Sequence, residues 1–254
     1  MSDPKHFSAQ RSAPALRLER LDALRGFAML WMATFHFCFD LSHYGLLAGQ
    51  NFYRDPLWIW QRVCIVSLFL CCAGTGQALA LQGPAGWASA RFWRRWGQIA
   101  ACALLVSIGS YWMFPRSFIT FGVLHAVALM LLLLRLLAPL PSVWLFGLAL
   151  LALLLPHGLQ SPFFDTRWTN WVGLVTHKPI TEDYVPLLPW LGVMLLGLLL
   201  GRCVLQGGAG VAWLAGALPR GLHPLAVLGR WPLSFYMLHQ PVLIGLIMAG
   251  LALR

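Results

Sequence analysis

Long runs of apolar residues, separated by short polar connections, fill most of the chain. Seven stretches of roughly 20 residues, the length that crosses a bilayer as a helix, lie near 22–44, 57–81, 96–114, 118–137, 141–156, 187–205 and 231–252. This pattern predicts an all-α polytopic membrane protein, a bundle of about seven transmembrane helices. Counts of six or eight remain open because the fifth stretch is short.

The segment 206–229 is also apolar, but glycines and two prolines, Pro219 and Pro224, interrupt it. Proline and glycine end or bend helices, so an interfacial or re-entrant piece is expected there. No internal repeat and no soluble domain is evident. The chain therefore divides into a basic cytoplasmic tail, 1–20, and a single transmembrane domain, 21–254. No cleaved signal peptide is expected, because no short apolar run with a small-residue cleavage site follows the tail.

Basic residues in the short connections set the predicted orientation. A cytoplasmic N-terminus followed by seven crossings leaves most Lys and Arg residues on the cytoplasmic side, as the positive-inside rule requires. One cytoplasmic group, Arg91, Arg94 and Arg95, suits phosphate binding, although ordinary topology also accounts for it. The longest connection, 157–185, falls outside. Its length and tryptophans are typical either of a binding loop or of an amphipathic segment on the membrane.

Composition supports the membrane assignment and narrows the function classes. The chain is 59% hydrophobic and 10% charged, whereas soluble domains carry about 25% charged residues. Its net charge of +10 is spread between apolar runs, so the lipid bilayer rather than a nucleic acid is the expected partner. The six cysteines lack metal-ligand spacing and no Gly-rich nucleotide fingerprint occurs, so no resident metal or nucleotide cofactor is expected.

The first apolar stretch carries five ionisable residues: Asp22, Arg25, His36, Asp40 and His43. At about 100° per residue, the eleven-residue step from Arg25 to His36 comes within about 20° of three full turns. All five therefore share one helix face. Each ionisable group at bilayer depth costs about 2.5–3.5 kcal/mol, so this stripe is expected to face a protein interior or a water-filled cavity.

Simpler interpretations exist for some members of the stripe. Asp22 and Arg25, three residues apart, can form an ordinary interfacial ion pair, and His43 lies where water is near. His36 lies deeper, and Asp40 follows it by one helical turn. A carboxylate at that distance can fix the tautomer of an imidazole and raise its basicity. His36 is thus the leading candidate for chemistry, with a satisfied buried histidine as the alternative.

Two further histidines, His125 and His239, lie in other apolar stretches. Each alone is typical of a hydrogen-bonded core histidine, but together with His36 they suggest one shared polar cavity. The sequence does not determine whether they converge. A metal site built from His36, Asp40 and His43 is a weaker alternative, because its outer members lie near water.

Four blocks of the sequence resemble, in order, the bacterial relatives of heparan-alpha-glucosaminide N-acetyltransferase. They are LDALRG with MATFHFCFDL within 21–41, FGVLH at 121–125, PLLPWLGVMLLG at 186–197, and LGRWPLSFYMLHQPVL at 228–243. The spacing of Arg25 and His36 also resembles a motif of the wider acyltransferase-3 group. A single block would be weak, but the ordered set is fairly specific.

The resemblance implies an acyl-CoA donor, usually acetyl-CoA, used from the cytoplasmic side. The acyl group would pass to an amine or hydroxyl of a glycan-type acceptor on the far side. A multi-pass protein of the bacterial inner membrane is expected, and a homo-oligomer is compatible with the sequence. The heparan enzyme's proposed acetyl-accepting histidine lies in the outer loop after the first helix, where residues 46–55 contain no histidine. An acetyl-histidine intermediate therefore does not carry over at that position.

These observations combine into one catalytic hypothesis. His36, oriented by Asp40, acts as general base on the acceptor while that group attacks the thioester. Arg25, held by Asp22, binds or polarises the donor, and Arg91, Arg94 and Arg95 contact the CoA phosphates. His239 and His125 are second candidates for polarising the thioester or for a proton relay. The main alternative is a proton-coupled solute transporter that uses the same stripe, and a non-catalytic scaffold ranks last.

Overall fold

The computed structural model describes residues 18–82 and 89–253, so most of the predicted tail, 1–20, lies outside the described residues. All regular elements in the described ranges are helical, which confirms the all-α fold. Seven long helices coincide with the seven predicted stretches: α1 (Glu19–His43), α2 (Pro56–Ala80), α3 (Ala90–Met113), α4 (Val123–Leu137), α5 (Ser142–Gly158), α6 (Leu187–Gln206) and α9 (Pro232–Ala252). Two short helices lie between α6 and α9, namely α7 (Gly208–Ala215) and α8 (His223–Gly229).

The helix starts follow local sequence chemistry. Pro56 and Pro232 occupy first-turn positions, where the missing amide hydrogen costs nothing. α3 begins earlier than its apolar run predicts because the Ser89 hydroxyl accepts a hydrogen bond from the Phe92 amide at 3.4 Å. α4 begins later than predicted, after Gly122 in an extended conformation.

Within residues 18–82 and 89–253, four helices are long and apolar enough to cross a membrane: α2, α3, α6 and α9. The bent pair of α7 with the segment ending in α8 raises the total to five if it counts as one span. α4 and α5 are apolar but shorter. In α1, the ionisable residues Arg25, His36 and Asp40 lower the hydropathy of an otherwise apolar helix. The fold is that of a polytopic membrane protein, while the number of seven crossings stays a prediction.

Glycines allow the central helices to approach at backbone distance. A side chain on Gly74 of α2 would overlap the Met194 carbonyl of α6, and one on Gly197 would overlap the Cys71 carbonyl. The Thr75 hydroxyl donates to the Gly197 carbonyl at 3.0 Å across the same interface. Small residues are typical of membrane helix contacts because they permit such close packing. Around this interface lies the main core, whose fully buried members include Leu70, Met130, Leu145, Met194 and Leu198.

The interrupted segment 206–229 forms two short helices, as its glycines and prolines predict. The pair bends by 79°, which fits either a broken span or a re-entrant loop. α8 packs against α1 through paired glycines: a side chain on Gly26 would overlap the Leu225 carbonyl, and one on Gly229 the Asp22 carbonyl. α8 thereby supports the helix that carries the ionisable stripe.

Candidate active site between the first and last helices

Helices α1 and α9 bring His36 and His239 together. Their ring centroids lie 5.2 Å apart with an interplanar angle of 58°. The two residues are far apart in sequence, so only the packing of the first helix against the last creates this pair. Two of the three deep histidines therefore converge, which is part of the expected arrangement.

The hydrogen bonding of His239 defines its tautomer. Its Nδ1 lies 2.7 Å from the Tyr236 carbonyl oxygen, an acceptor only, so Nδ1 carries the hydrogen and donates it. Nε2 is then left with a free lone pair. It is buried and has no hydrogen-bond partner among the described residues. The ring is also held by stacking on Phe235, with centroids 5.7 Å apart and planes 6° from parallel. A fixed ring with an unpaired lone pair is the arrangement of a proton acceptor.

Among the described residues, the contacts of the His36 ring are with other rings and include no hydrogen bond. The Phe35 ring meets it edge-on at 5.9 Å, and His239 covers another side. We predicted that Asp40 orients His36, but the described contacts do not include a bond between them. The Asp40 carboxylate has another partner. Gln240 Nε2 donates to it, at 2.9 Å from Oδ1 and 3.0 Å from Oδ2. Asp40 thus ties α1 to α9 at Gln240, the residue that follows His239.

At the other end of the stripe, Arg25 and Asp22 form the predicted ion pair, with Nη1 and Oδ1 2.9 Å apart. Nη1 also donates to the Gly229 carbonyl at 3.2 Å, which links the pair to α8. The other guanidinium nitrogen passes over Gly76 of α2, where a side chain would come within 3.6 Å of it. Arg25 is therefore enclosed by three helices, more firmly than an isolated interfacial pair would be.

The three arginines predicted to bind the donor lie on the first turns of α3, and all are exposed. Arg95 is near enough to Arg25 for the two like charges to interact. It also donates to the Gln98 side chain at 3.5 Å. Arg91 and Arg94 remain open to solvent. Exposed cations beside a partly buried one suit the phosphates of a CoA donor, so the residues present fit that co-substrate.

His125 has a local role in the structure. Its Nδ1 accepts from the Gly122 amide at 3.3 Å, and its Nε2 lies 3.1 Å from the Ser107 hydroxyl. Since that hydroxyl donates to the Ile119 carbonyl at 2.7 Å, it accepts from Nε2–H. Both ring nitrogens are thus engaged in holding the start of α4. The described contacts of His125 do not include His36 or His239, so the structure unites two deep histidines rather than three.

A comparison of the sequence with known families identifies the family of the chain. A family model described as heparan-alpha-glucosaminide N-acetyltransferase, catalytic, matches residues 17–241, which is most of the chain. The chain belongs to this family. The match confirms the resemblance read from the four sequence blocks, and it includes His36, His239 and Gln240. A search of curated proteins and a search of solved structures each found no match.

Membership of the heparan-alpha-glucosaminide N-acetyltransferase family indicates a membrane transferase at the level of the family. The metal alternative receives no support from the part of the chain that the structure describes, where no group of three or more His, Cys, Asp or Glu side chains is arranged to hold a metal ion. Asp40 has Gln240 as its partner, and the exposed ring of His43 stacks on Phe39 instead, with centroids 6.4 Å apart.

Three residues of the site in this N-acetyltransferase family member were missed by sequence reasoning: Gln240, Tyr236 and Asp183. Asp183, in the outer connection, accepts from the Val123 amide at 2.8 Å and from the Tyr236 hydroxyl at 3.4 Å. Burial raises the pKa of its carboxyl above the usual range, partly offset by these hydrogen bonds. Tyr236 precedes His239 by three residues, so the two side chains share one face of α9. This spacing is the one sequence signal that Tyr236 belongs to the site. Nothing local marks Asp183 as buried.

The rest of the outer connection is held by hydrogen bonds. The Ser117 hydroxyl donates to Glu182 at 2.5 Å, and the Tyr184 hydroxyl donates to the Asn170 carbonyl at 2.7 Å. The Thr176 hydroxyl donates to Asp165 at 2.7 Å, and this bond is the largest cause of the lowered pKa of that carboxyl. These hydrogen bonds hold the connection together and join it to Ser117 after α3. Whether the connection also binds substrate stays a prediction.

Proposed function

We propose that the protein transfers an acetyl or other acyl group from cytoplasmic acyl-CoA to a hydroxyl or amine of a glycan-type acceptor at or across the membrane. One observation carries the proposal: a pair of imidazoles lies between α1 and α9, and one of them has a buried, unpaired Nε2. Family membership supplies the transferase class. The Arg25 pair at one end of the stripe supplies a cation on the predicted donor side.

His239 and His36 share the proton chemistry in this proposal. His239 Nε2 takes the proton from the acceptor as its oxygen or nitrogen attacks the thioester carbonyl carbon. The Tyr236 carbonyl, which accepts from Nδ1–H, stabilises the charged ring that results. The carbon–sulfur bond breaks with its electron pair on sulfur, and the proton then passes to the CoA thiolate. His36, whose ring neighbours His239, relays the proton or serves as the base itself.

Arginines account for the donor in the proposal. Arg25, fixed by Asp22 and the Gly229 carbonyl, provides positive charge near the thioester end. Arg91, Arg94 and Arg95 meet the CoA phosphates at the exposed start of α3. A transmembrane stripe with cations at one end and paired imidazoles further along matches a donor and an acceptor that approach from opposite sides.

The test measures acetyl-CoA binding by calorimetry and acetyl transfer by release of free CoA, with purified wild type and three variants: Arg25→Ala, His36→Ala and His239→Ala. We expect micromolar binding that Arg25→Ala weakens, and transfer that both histidine variants lose while they still bind the donor. An absence of acyl-CoA binding by folded wild type would overturn the proposal. Proton-dependent solute flux in vesicles without any donor would favour the transporter instead.

A further inference from the structure

A cavity of about 370 Å³ lies where the ends of α2 and α4 meet α6. Its volume is within the range of about 300–1,000 Å³ that is typical of ligand pockets. The connection from α4 to α5 closes one side of it through Ala138 and Pro139. Neither histidine of the imidazole pair lines the cavity, and the proposed acyl transfer uses none of its residues.

The lining of this cavity is positively charged. It includes Arg135, from the last turn of α4, and Arg202, from α6, and it includes no acid. The stretches 56–164 and 184–254, which contain every helix around the cavity, have no Asp or Glu. The helices that form the cavity therefore bring two cations to it and no carboxylate that could neutralise them.

Neighbouring groups hold both guanidinium groups in place. Arg202 donates from Nη2 to the Ala138 carbonyl and from Nη1 to the Leu140 carbonyl, the latter at 3.0 Å. The central guanidinium carbon of Arg135 lies 3.8 Å from the centre of the Phe92 ring of α3. Carbonyls and an aromatic ring are neutral, so these contacts fix the two charges without cancelling them. Capping of the α4 carbonyls accounts for Arg202, but it accounts neither for Arg135 nor for the cavity between them.

Exposed apolar side chains adjoin these arginines along the chain. Leu136, which follows Arg135, is 65% exposed, and Val143 and Trp144 in the first turn of α5 are also exposed. In a membrane protein such side chains contact lipid, and an exposed tryptophan near a helix end is typical of the headgroup level. In the predicted orientation this end of the helix bundle faces the cytoplasm. The cavity is therefore expected at the level of the cytoplasmic lipid headgroups.

We infer that this cavity binds the phosphate group of an anionic phospholipid from the cytoplasmic leaflet. Arg135 and Arg202 hold the phosphate oxygens, because guanidinium groups fixed in position are suited to phosphate. The acyl chains lie against the exposed apolar residues of α4 and α5. Basic pockets between transmembrane helices on the cytoplasmic side are typical headgroup sites. A free phosphate or the phosphates of CoA would suit the same arginines, but neither uses the apolar surface beside them.

The experiment is native mass spectrometry of the full chain in non-ionic detergent, with dioleoyl phosphatidylglycerol and dioleoyl phosphatidylcholine added at equal concentration. Arg202→Gln removes one cation from the cavity, and Gln82→Glu adds an acid at an exposed position of its lining. Each has a control with the same change of charge at an exposed residue outside the cavity, Arg220→Gln and Gln160→Glu. Because Gln82 is exposed, Gln82→Glu tests the site even if Arg202→Gln does not fold.

Wild type and both controls are expected to retain phosphatidylglycerol in excess over phosphatidylcholine. Each test variant should lower the ratio of the two bound lipids by about fivefold, the effect of one charge beside an anionic lipid. Equal retention of the two lipids by wild type, or an unchanged ratio in a folded test variant, would overturn the inference. Adding inorganic phosphate or CoA in excess distinguishes the sources of the phosphate. Retained phosphatidylglycerol supports the lipid, whereas its displacement by either compound would show a site for a soluble phosphate instead.

Discussion

The contact between Asp40 and Gln240 yields a quantitative prediction for the variant Gln240→Ala. Asp40 is only 4% exposed, and the Gln240 amide donates to its carboxylate. A hydrogen bond to a charged group contributes about 1.5–3 kcal/mol, and a buried carboxylate left without it keeps its desolvation cost. We therefore expect Gln240→Ala to lower the free energy of unfolding by about 1.5–3 kcal/mol. For a chain of this size that corresponds to a fall in Tm of roughly 3–12 °C.

A double-mutant cycle with Asp40→Ala separates this pair from other effects of each substitution. Since the two side chains are in contact, their coupling should account for most of the loss in the single variants. Thermal unfolding in detergent, followed by tryptophan fluorescence, measures all four proteins. Gln160→Ala is the matched control, because its amide is exposed and its one partner among the described residues is the Pro156 carbonyl, at 3.1 Å. A Tm for Gln240→Ala within about 1 °C of the control, or a coupling near zero, would refute the reasoning.

Three further predictions concern the pair of imidazoles, the glycine contact and the buried outer carboxyl. His239→Gln should lower kcat by about 10²–10⁴-fold with acetyl-CoA affinity retained; unchanged turnover would exclude His239 as the base. Gly229→Ala should cut the yield of folded protein in gel filtration, because its Cβ would overlap the Asp22 carbonyl, whereas Gly221→Ala, which meets nothing, should not. Asp183 has a raised pKa, so its stabilising contribution is lost as pH rises through that pKa. The Tm of wild type should therefore fall relative to Asp183→Asn as pH increases, and parallel Tm curves would contradict this.

The long helices were predictable because a spanning helix must be apolar over most of its length, whatever it packs against. The Asp22–Arg25 pair was predictable for a similar reason, since residues three apart meet on one helix face. The partner of Asp40 was not, because it lies on the last helix and an uncharged glutamine leaves little trace in an apolar sequence. The role of His125 was also missed. It accepts a hydrogen bond from the Gly122 amide at the start of its own helix, and the sequence FGVLH does not distinguish such a histidine from a catalytic one.

The position of His239 along α9 could not be aligned with His36 from sequence, because the broken segment before α9 hides its register. The ionisable residues of the first helix were predictable from the sequence, but their neighbours on other helices were not. Asp183 illustrates the same limit from the outer side. It is buried only because the outer connection folds back onto α4 and α9, a tertiary event with no local pattern.

The glycine contact between α1 and α8 determines how far along their helices the two imidazoles lie. Gly26 precedes His36 by ten residues, and Gly229 precedes His239 by ten residues. Sliding α8 along α1 by one position would put a side chain where only a hydrogen fits, so the two glycines set the level of α8 along α1. On α1 that level is transmitted about 15 Å along a continuous helix. From α8 it crosses the short junction into α9, so the length of that junction decides whether the two rings meet.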